Sequence, residues 1–177
     1  EVLIPSPYWV SYPDMVYLNG GVPVAVKAPA SQGFKVTVEQ LEAALTPKAK
    51  ILVFNSPSNP TGACYSVSER DAIVKWALDR GLFIIADEVY DQLVYEPNKP
   101  SSIIVWWKQY RTHRRRQRLA KSFAMTGWRV GYTVTHPTSS RNSAKSPDRP
   151  PATSAPCLRS RRSRPHRPLR LRGVHAP

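Results

Sequence analysis

Two short apolar runs, Ile51-Leu52-Val53-Phe54 and Leu82-Phe83-Ile84-Ile85-Ala86, constrain this chain more than any other feature. An unbroken run of that length suits a strand buried on both faces, as the strands of a parallel sheet are. Between the runs, Ser66 is followed three positions later by Glu69, a capping-box pattern that opens a helix. Ile73, Trp76 and Ala77 then fall on one helical face, and Gly81 suits the stop. Strand, helix and strand make a βαβ unit, whose right-handed crossover leaves the two strands parallel. Asn59 and Asp87 therefore lie at the carboxyl ends of parallel strands, the edge at which α/β sheets bind ligands.

The residues on either side fit the same class. Val2-Leu3-Ile4 reads as a strand, followed by Pro5, Pro7 and an aromatic cluster of Tyr8, Trp9 and Tyr12. Gly20-Gly21 precedes a second strand over Val22–Val26. Thr37 with Gln40 is another capping box, and Leu41, Ala44 and Leu45 supply its apolar stripe before Pro47 ends the helix. NSPSNPTG (55–62) is dense in turn formers and reads as a loop. The expected fold is an α/β domain, a mostly parallel sheet with flanking helices.

The formal charge of +14 on 177 residues invites a nucleic-acid reading, but the charge is unevenly spread. Residues 1–100 hold 8 basic and 11 acidic residues, net −3, whereas 101–177 hold 18 basic residues and one acid, Asp148, net +17. The texture changes from about Ser101, where RTHRRRQR (111–118) is a run of like charge. Beyond His136 the chain is rich in Pro, Ser and Arg and too poor in large apolar residues to order itself. The expected division is a partial large domain over 1–133, with 101–118 departing from its pattern, and a disordered basic tail over 134–177. Cys64 and Cys157 suggest neither a metal pair nor a disulfide framework, which fits a reducing compartment. No apolar run is long enough to span a membrane, no signal peptide is visible, and a first residue of Glu1 reads as the start of a fragment.

KSFAMTGWR (121–129) sets one amine and one guanidinium eight positions apart among small, apolar and aromatic residues. A lysine in apolar surroundings loses part of its reason to stay protonated, and a neutral amine forms an imine with an aldehyde. A guanidinium holds a phosphate in fork geometry. Taken singly, each candidate has an ordinary reading: Asp87 a solvated or capping acid, Asn59 a turn residue, Tyr90 and Trp9 core aromatics, Lys121 and Arg129 surface cations. Taken together, PSPYWVSYP (5–13), NSPSNPTG (55–62), ADEVYDQLVY (86–95) and AKSFAMTGWRVGY (120–132) resemble, in order and spacing, the class I aminotransferases. These enzymes have the fold type I of pyridoxal 5'-phosphate (PLP) proteins, and the likeness is greatest to the aspartate aminotransferase branch. It covers roughly residues 1–102 and 119–132.

What the resemblance implies falls on particular positions. Lys121 would be the catalytic lysine, holding PLP through an imine and moving the proton between substrate Cα and cofactor. Asp87 would pair with the pyridinium nitrogen. Asn59 and Tyr90 would hydrogen-bond the phenolic oxygen, Trp9 would stack on the ring, and Arg129 would clamp the phosphate. An amino acid such as aspartate and a 2-oxo acid would be the substrates, the family enzyme being a cytoplasmic homodimer that needs no metal.

Against that pattern, the phosphate-cradling N-terminal region, the small domain with the carboxylate-binding arginine, and the surfaces for a dimer partner are expected to be missing. A chain so reduced is expected to have little or no transaminase activity. The stretch before Lys121, which in the family is a buried strand of valines followed by Asn-Gly, here reads His113-Arg114-Arg115-Arg116-Gln117-Arg118. Three consecutive arginines are not expected as a buried strand without neutralising partners. Codons CAC CGT CGT CGT CAA CGG would encode this segment, and a shift of one base gives Thr-Val-Val-Val-Asn-Gly. A second shift turns His136–Lys145 into PDVVEELGQ, so lost reading frame is one account of both departures. Two alternatives accompany the aminotransferase reading. One is a nucleic-acid-binding protein acting through RSRRSRPHRPLRLR (159–172) and 111–118, with non-specific polyanion binding by counterion release; the other is a non-functional translation product.

Overall fold

A computed structural model describes residues 1–106, 113–117, 119–128 and 131–135, with 113–117, 119–120 and 132 described by their backbone alone. Strand β1 (Val2–Ser6) leads into helix α1 (Ser11–Leu18), and β2 (Pro23–Lys27) follows. After helix α2 (Val38–Ala43) come β3 (Ile51–Asn55), helix α3 (Val67–Asp79) and β4 (Phe83–Asp87). Strand β5 (His113–Gln117), the short helix α4 (Leu119–Ser122) and β6 (Tyr132–Thr135) complete the described chain. The six strands form one sheet in the order β2-β1-β3-β4-β5-β6, parallel throughout except for the antiparallel β5–β6 pair.

Both expected capping boxes close. Thr37 and Gln40 exchange side-chain and backbone hydrogen bonds at the start of α2, and Ser66 and Glu69 do the same for α3. At the far end of α3, Gly81 takes φ +69. Its N–H donates to Leu78 and that of Leu82 to Ala77, a Schellman closure whose left-handed residue favours glycine.

Alternation along the strands divides the core between the sheet's two faces. Leu3, Leu52, Phe54, Ile84 and Ala86 pack with Leu41 of α2 and Ile73, Val74, Trp76 and Ala77 of α3. On the other face Val2, Ile4 and Val53 pack with Tyr12 of α1, with Trp9 and Val16 partly buried beside them. Helix α1 has no counterpart in the sequence reading, and it accommodates Pro13. That proline sits at the third helical position, where the missing N–H is one that the first turn leaves unpaired in any case.

Strand β5 carries the arginine run, and the burial of its side chains lies outside what the structure describes. His113, Arg114, Arg115 and Arg116 stand in parallel register with Ile84, Ile85, Ala86 and Asp87, and β6 pairs on the other side. Ladder pairing uses peptide groups, which arginine supplies as well as valine does. The charge objection bears on where side chains go, and the backbone pairs regardless. The packed structure also runs past Ser101: Ile103 is 1% exposed and belongs to the main core. Strand β6 takes in residues 134 and 135, at the head of the expected tail; the rest of 134–177 lies outside the described residues. Among the described residues no helix is long and apolar enough to cross a membrane.

Candidate active site

From β1 the chain goes outward to β2 and then crosses back to β3, so β1 and β3 border a topological switch point. Their pairing stops after Leu3↔Leu52, whereas β3 and β4 stay in register through Asn55↔Asp87. Strands that part at their carboxyl ends leave the crevice in which open α/β sheets bind ligands. A cavity of about 250 Å³ lies at this edge, lined by Trp9, Tyr12, Asn55, Asn59, Asp87, Val89, Tyr90 and Lys121.

Five of the six residues singled out in the sequence line this one cavity, although they span positions 9 to 121. The sixth, Arg129, lies outside the described residues. Asp87 ends β4 and is buried, with its carboxylate held at both oxygens. Oδ2 accepts from the Tyr12 hydroxyl at 3.0 Å, and Oδ1 accepts from the Val89 N–H at 3.2 Å. Two donors on one buried carboxylate fix its orientation and satisfy the charge. Tyr12 is in turn set by Trp9, whose ring stands at 87° to its own with centroids 5.5 Å apart, an edge-to-face pair.

The loop after β3 carries Asn59, whose side-chain Nδ2 donates to the Tyr90 hydroxyl oxygen at 3.5 Å. That arrangement leaves the hydroxyl hydrogen of Tyr90 for an acceptor in the cavity. Across from it, the Lys121 Nζ stands 5.7 Å from the centre of the Tyr90 ring, within range of a cation–π contact. The loop's return is anchored in the core. Tyr65 N–H donates to the buried Ser56 hydroxyl at 3.2 Å, and the Tyr65 hydroxyl accepts from Val36 N–H at 2.9 Å. Burial pushes the Tyr65 phenol up to about 12.

Tyr12 and Asn55 are the site residues that sequence reasoning missed. The first stands inside the quoted PSPYWVSYP stretch and the second opens NSPSNPTG, but one reads as a core aromatic and the other as a turn former. Only the register of β3 on β4 and the seating of α1 bring them to Asp87.

With this geometry in place, comparison with known proteins decides the family. Residues 1–160 match the family described as aminotransferase class I and II. The chain belongs to that family. It is 45% identical over 135 residues to an aspartate aminotransferase of Streptomyces avermitilis, an alignment covering 76% of this chain and 33% of that protein. An asparagine–oxo-acid transaminase of Streptococcus mutans is 42% identical over 149 residues, covering 77% and 35%. Among solved structures, the aspartate aminotransferase of Thermus thermophilus with maleate superposes with a TM-score of 0.71 at 40% identity, over 76% of this chain and 35% of that one. The chain thus spans about a third of the length of these relatives. The family match continues through 103–118 and beyond Tyr132, where the quoted motifs end.

Proposed function

We propose that this chain carries the cofactor-binding core of a PLP-dependent aminotransferase, which moves an amino group from an amino acid such as aspartate to a 2-oxo acid such as 2-oxoglutarate. The observation that supports it is the single cavity onto which Trp9, Asn59, Asp87, Tyr90 and Lys121 converge. Their chemistry fits PLP group by group. Asp87 offers a carboxylate to a cationic ring nitrogen, Asn59 and Tyr90 offer donors to a ring oxygen, Trp9 an aromatic face, and Lys121 an amine to an aldehyde. Arg129, eight positions after Lys121, is proposed as the phosphate's partner.

Bound there, the cofactor would supply an electron sink for negative charge at the substrate Cα. The chain's own residues do the rest. Asp87, pinned by Tyr12 and Val89, keeps a fixed negative charge at one end of the cavity without reorganising during the reaction. Lys121 would offer its amine to the aldehyde carbon and, as a free amine, would carry a proton from the substrate Cα to the cofactor. Asn59 and Tyr90 would hold the ring oxygen, and Trp9 would cover one ring face against water.

A cytoplasmic homodimer is the assembly we propose for the full-length enzyme, and the domain boundaries at 133 and 134 belong to the same reading. The test is optical. Added PLP should give an imine absorbance that Lys121→Ala abolishes, and a steady transamination rate with aspartate and 2-oxoglutarate is expected to be very low for 1–177 itself. An identical absorbance in Lys121→Ala would refute the assignment.

A further inference from the structure

Asn55 spends its whole amide on the two sides of the cavity. Its Nδ2 donates to the Asp87 carbonyl at 2.8 Å and to the Pro57 carbonyl at 3.1 Å. Its Oδ1 accepts from the Asn59 N–H at 2.8 Å. Two carbonyls on one side and one N–H on the other fix which way the amide points, since only the NH2 can serve the first pair. Asn55 also stands opposite Asp87 in the β3–β4 register, and its side chain lines the cavity. Its hydrogen-bonding groups are nonetheless turned to protein partners rather than to a ligand.

We propose that Asn55 is a positioning residue, one amide that sets the distance between Asn59 and Asp87. This deepens the cofactor reading above and rests on it, since those two residues are the ones proposed to hold the ring oxygen and the ring nitrogen. Without Asn55 the 55–62 loop keeps its own turn bonds, Gly62 N–H to Ser58 and Ser58 N–H to Ala63, and its base stays tied to β4 at Ser56, while the end carrying Asn59 is released. Two further contacts to Asp87 leave the acid itself in place, the Ser56 N–H on its carbonyl and Tyr12 on its carboxylate. Removing Asn55 therefore moves Asn59 and not Asp87. A side chain that merely filled space would be replaced by aspartate without loss, because the two are nearly the same size.

The variants Asn55→Asp and Asn55→Ala separate the donor and acceptor roles. Asp keeps an acceptor for Asn59 N–H and sets a carboxylate against two carbonyl oxygens, whereas Ala loses everything. Hydrogen exchange on the full chain without ligand reads the first half: the Asn59 amide should be protected in wild type and in Asn55→Asp, and unprotected in Asn55→Ala. PLP titration reads the second half. The dissociation constant of Asn55→Asp relative to wild type should rise about tenfold at pH 8: of the two donated hydrogen bonds lost, the one to the Asp87 carbonyl ties the loop to β4 and is worth roughly that factor. Asn55→Ala, which loses the acceptor for Asn59 N–H as well, should show at least as large a rise. An unprotected Asn59 amide in wild type overturns the proposal with no variant needed. So does an Asn55→Asp chain that binds PLP like wild type at pH 8. A protected wild-type Asn59 amide together with no PLP absorbance would instead sink the cofactor reading and uphold Asn55's hold on the loop.

Discussion

Replacing Glu88 by alanine should cost this fold about 3–5 kcal/mol, although Glu88 faces away from the cavity. Asp87 ends β4 and lines the cavity, whereas Glu88, the next residue, turns to Ser102 and Ile103. Glu88 is 1% exposed and holds the segment that follows the site loop. Its Oε1 accepts from Ile103 N–H at 2.7 Å and its Oε2 from the Ser102 hydroxyl at 2.8 Å. Arg70 of α3, 5% exposed, grips the same segment through the Ser101 hydroxyl at 2.8 Å and the Ser102 carbonyl at 3.0 Å. A hydrogen bond to a charged group contributes about 1.5–3 kcal/mol, and a buried N–H left without an acceptor costs about 1–3 kcal/mol. Alanine removes both acceptors at once. Glutamine keeps the shape and one acceptor but turns its NH2 toward the other donor, so about half the loss is expected. Against a total stability of about 5–15 kcal/mol, the alanine change is large enough to read in urea denaturation as a lower midpoint. Hydrogen exchange should show the Ile103 amide losing protection first. A loss under about 1 kcal/mol for Glu88→Ala, or equal losses for Ala and Gln, would refute the reasoning.

Other consequences follow from the same geometry. Tyr12→Phe keeps the ring against Trp9 and deletes the donor to Asp87, so about 1.5–3 kcal/mol of stability and part of the PLP affinity should go; unchanged denaturation midpoints would refute this. Tyr65, raised from 10.0 to about 12 by burial, binds its proton more tightly folded than unfolded. Its contribution is fully present below pH 10 and should be lost as pH rises through about 12, and Tyr65→Phe should flatten stability over that window; an unaltered alkaline limb would count against it. Thr-Val-Val-Val-Asn-Gly in place of His113–Arg118 should raise the denaturation midpoint, because the β5 position lies between β4 and β6 and three charges leave it. In the gene, the codons for 113–118 should give a valine-rich reading in a neighbouring frame; codons that give none refute the frame account.

The parts of this molecule legible in its sequence are those fixed by local chemistry. Capping boxes at Thr37 and Ser66 declare two helices within four residues each, and apolar runs at 51–54 and 82–86 declare two buried strands. Parallel pairing of those strands then carried Asn59 and Asp87 to one edge, a deduction that needed only topology. Other features depend on distant partners and left no local mark. Helix α1 was not recognised, and its Pro13 is tolerated because it falls in the first turn. Tyr12 meets Asp87 across 75 positions, and Asn55 becomes a hub only once β3 and β4 are in register. Glu88 and Arg70 were unremarkable charges until the 101–103 segment folded onto them. At β5 the arginines argued against a buried strand, and side-chain charge says nothing of what the peptide groups pair with.

On the proposed function, one cavity at the carboxyl edge of the sheet holds PLP through Lys121. Borohydride reduction of the PLP-treated chain, followed by peptide mass analysis, tests it most directly, since reduction fixes the imine wherever it has formed. A cofactor adduct is predicted on the peptide containing Lys121 at low PLP concentration, weakened in Asp87→Ala and absent in Lys121→Ala. Adduct spread evenly over the chain's other lysines, with Lys121 no more modified than Lys27 or Lys48, would contradict it.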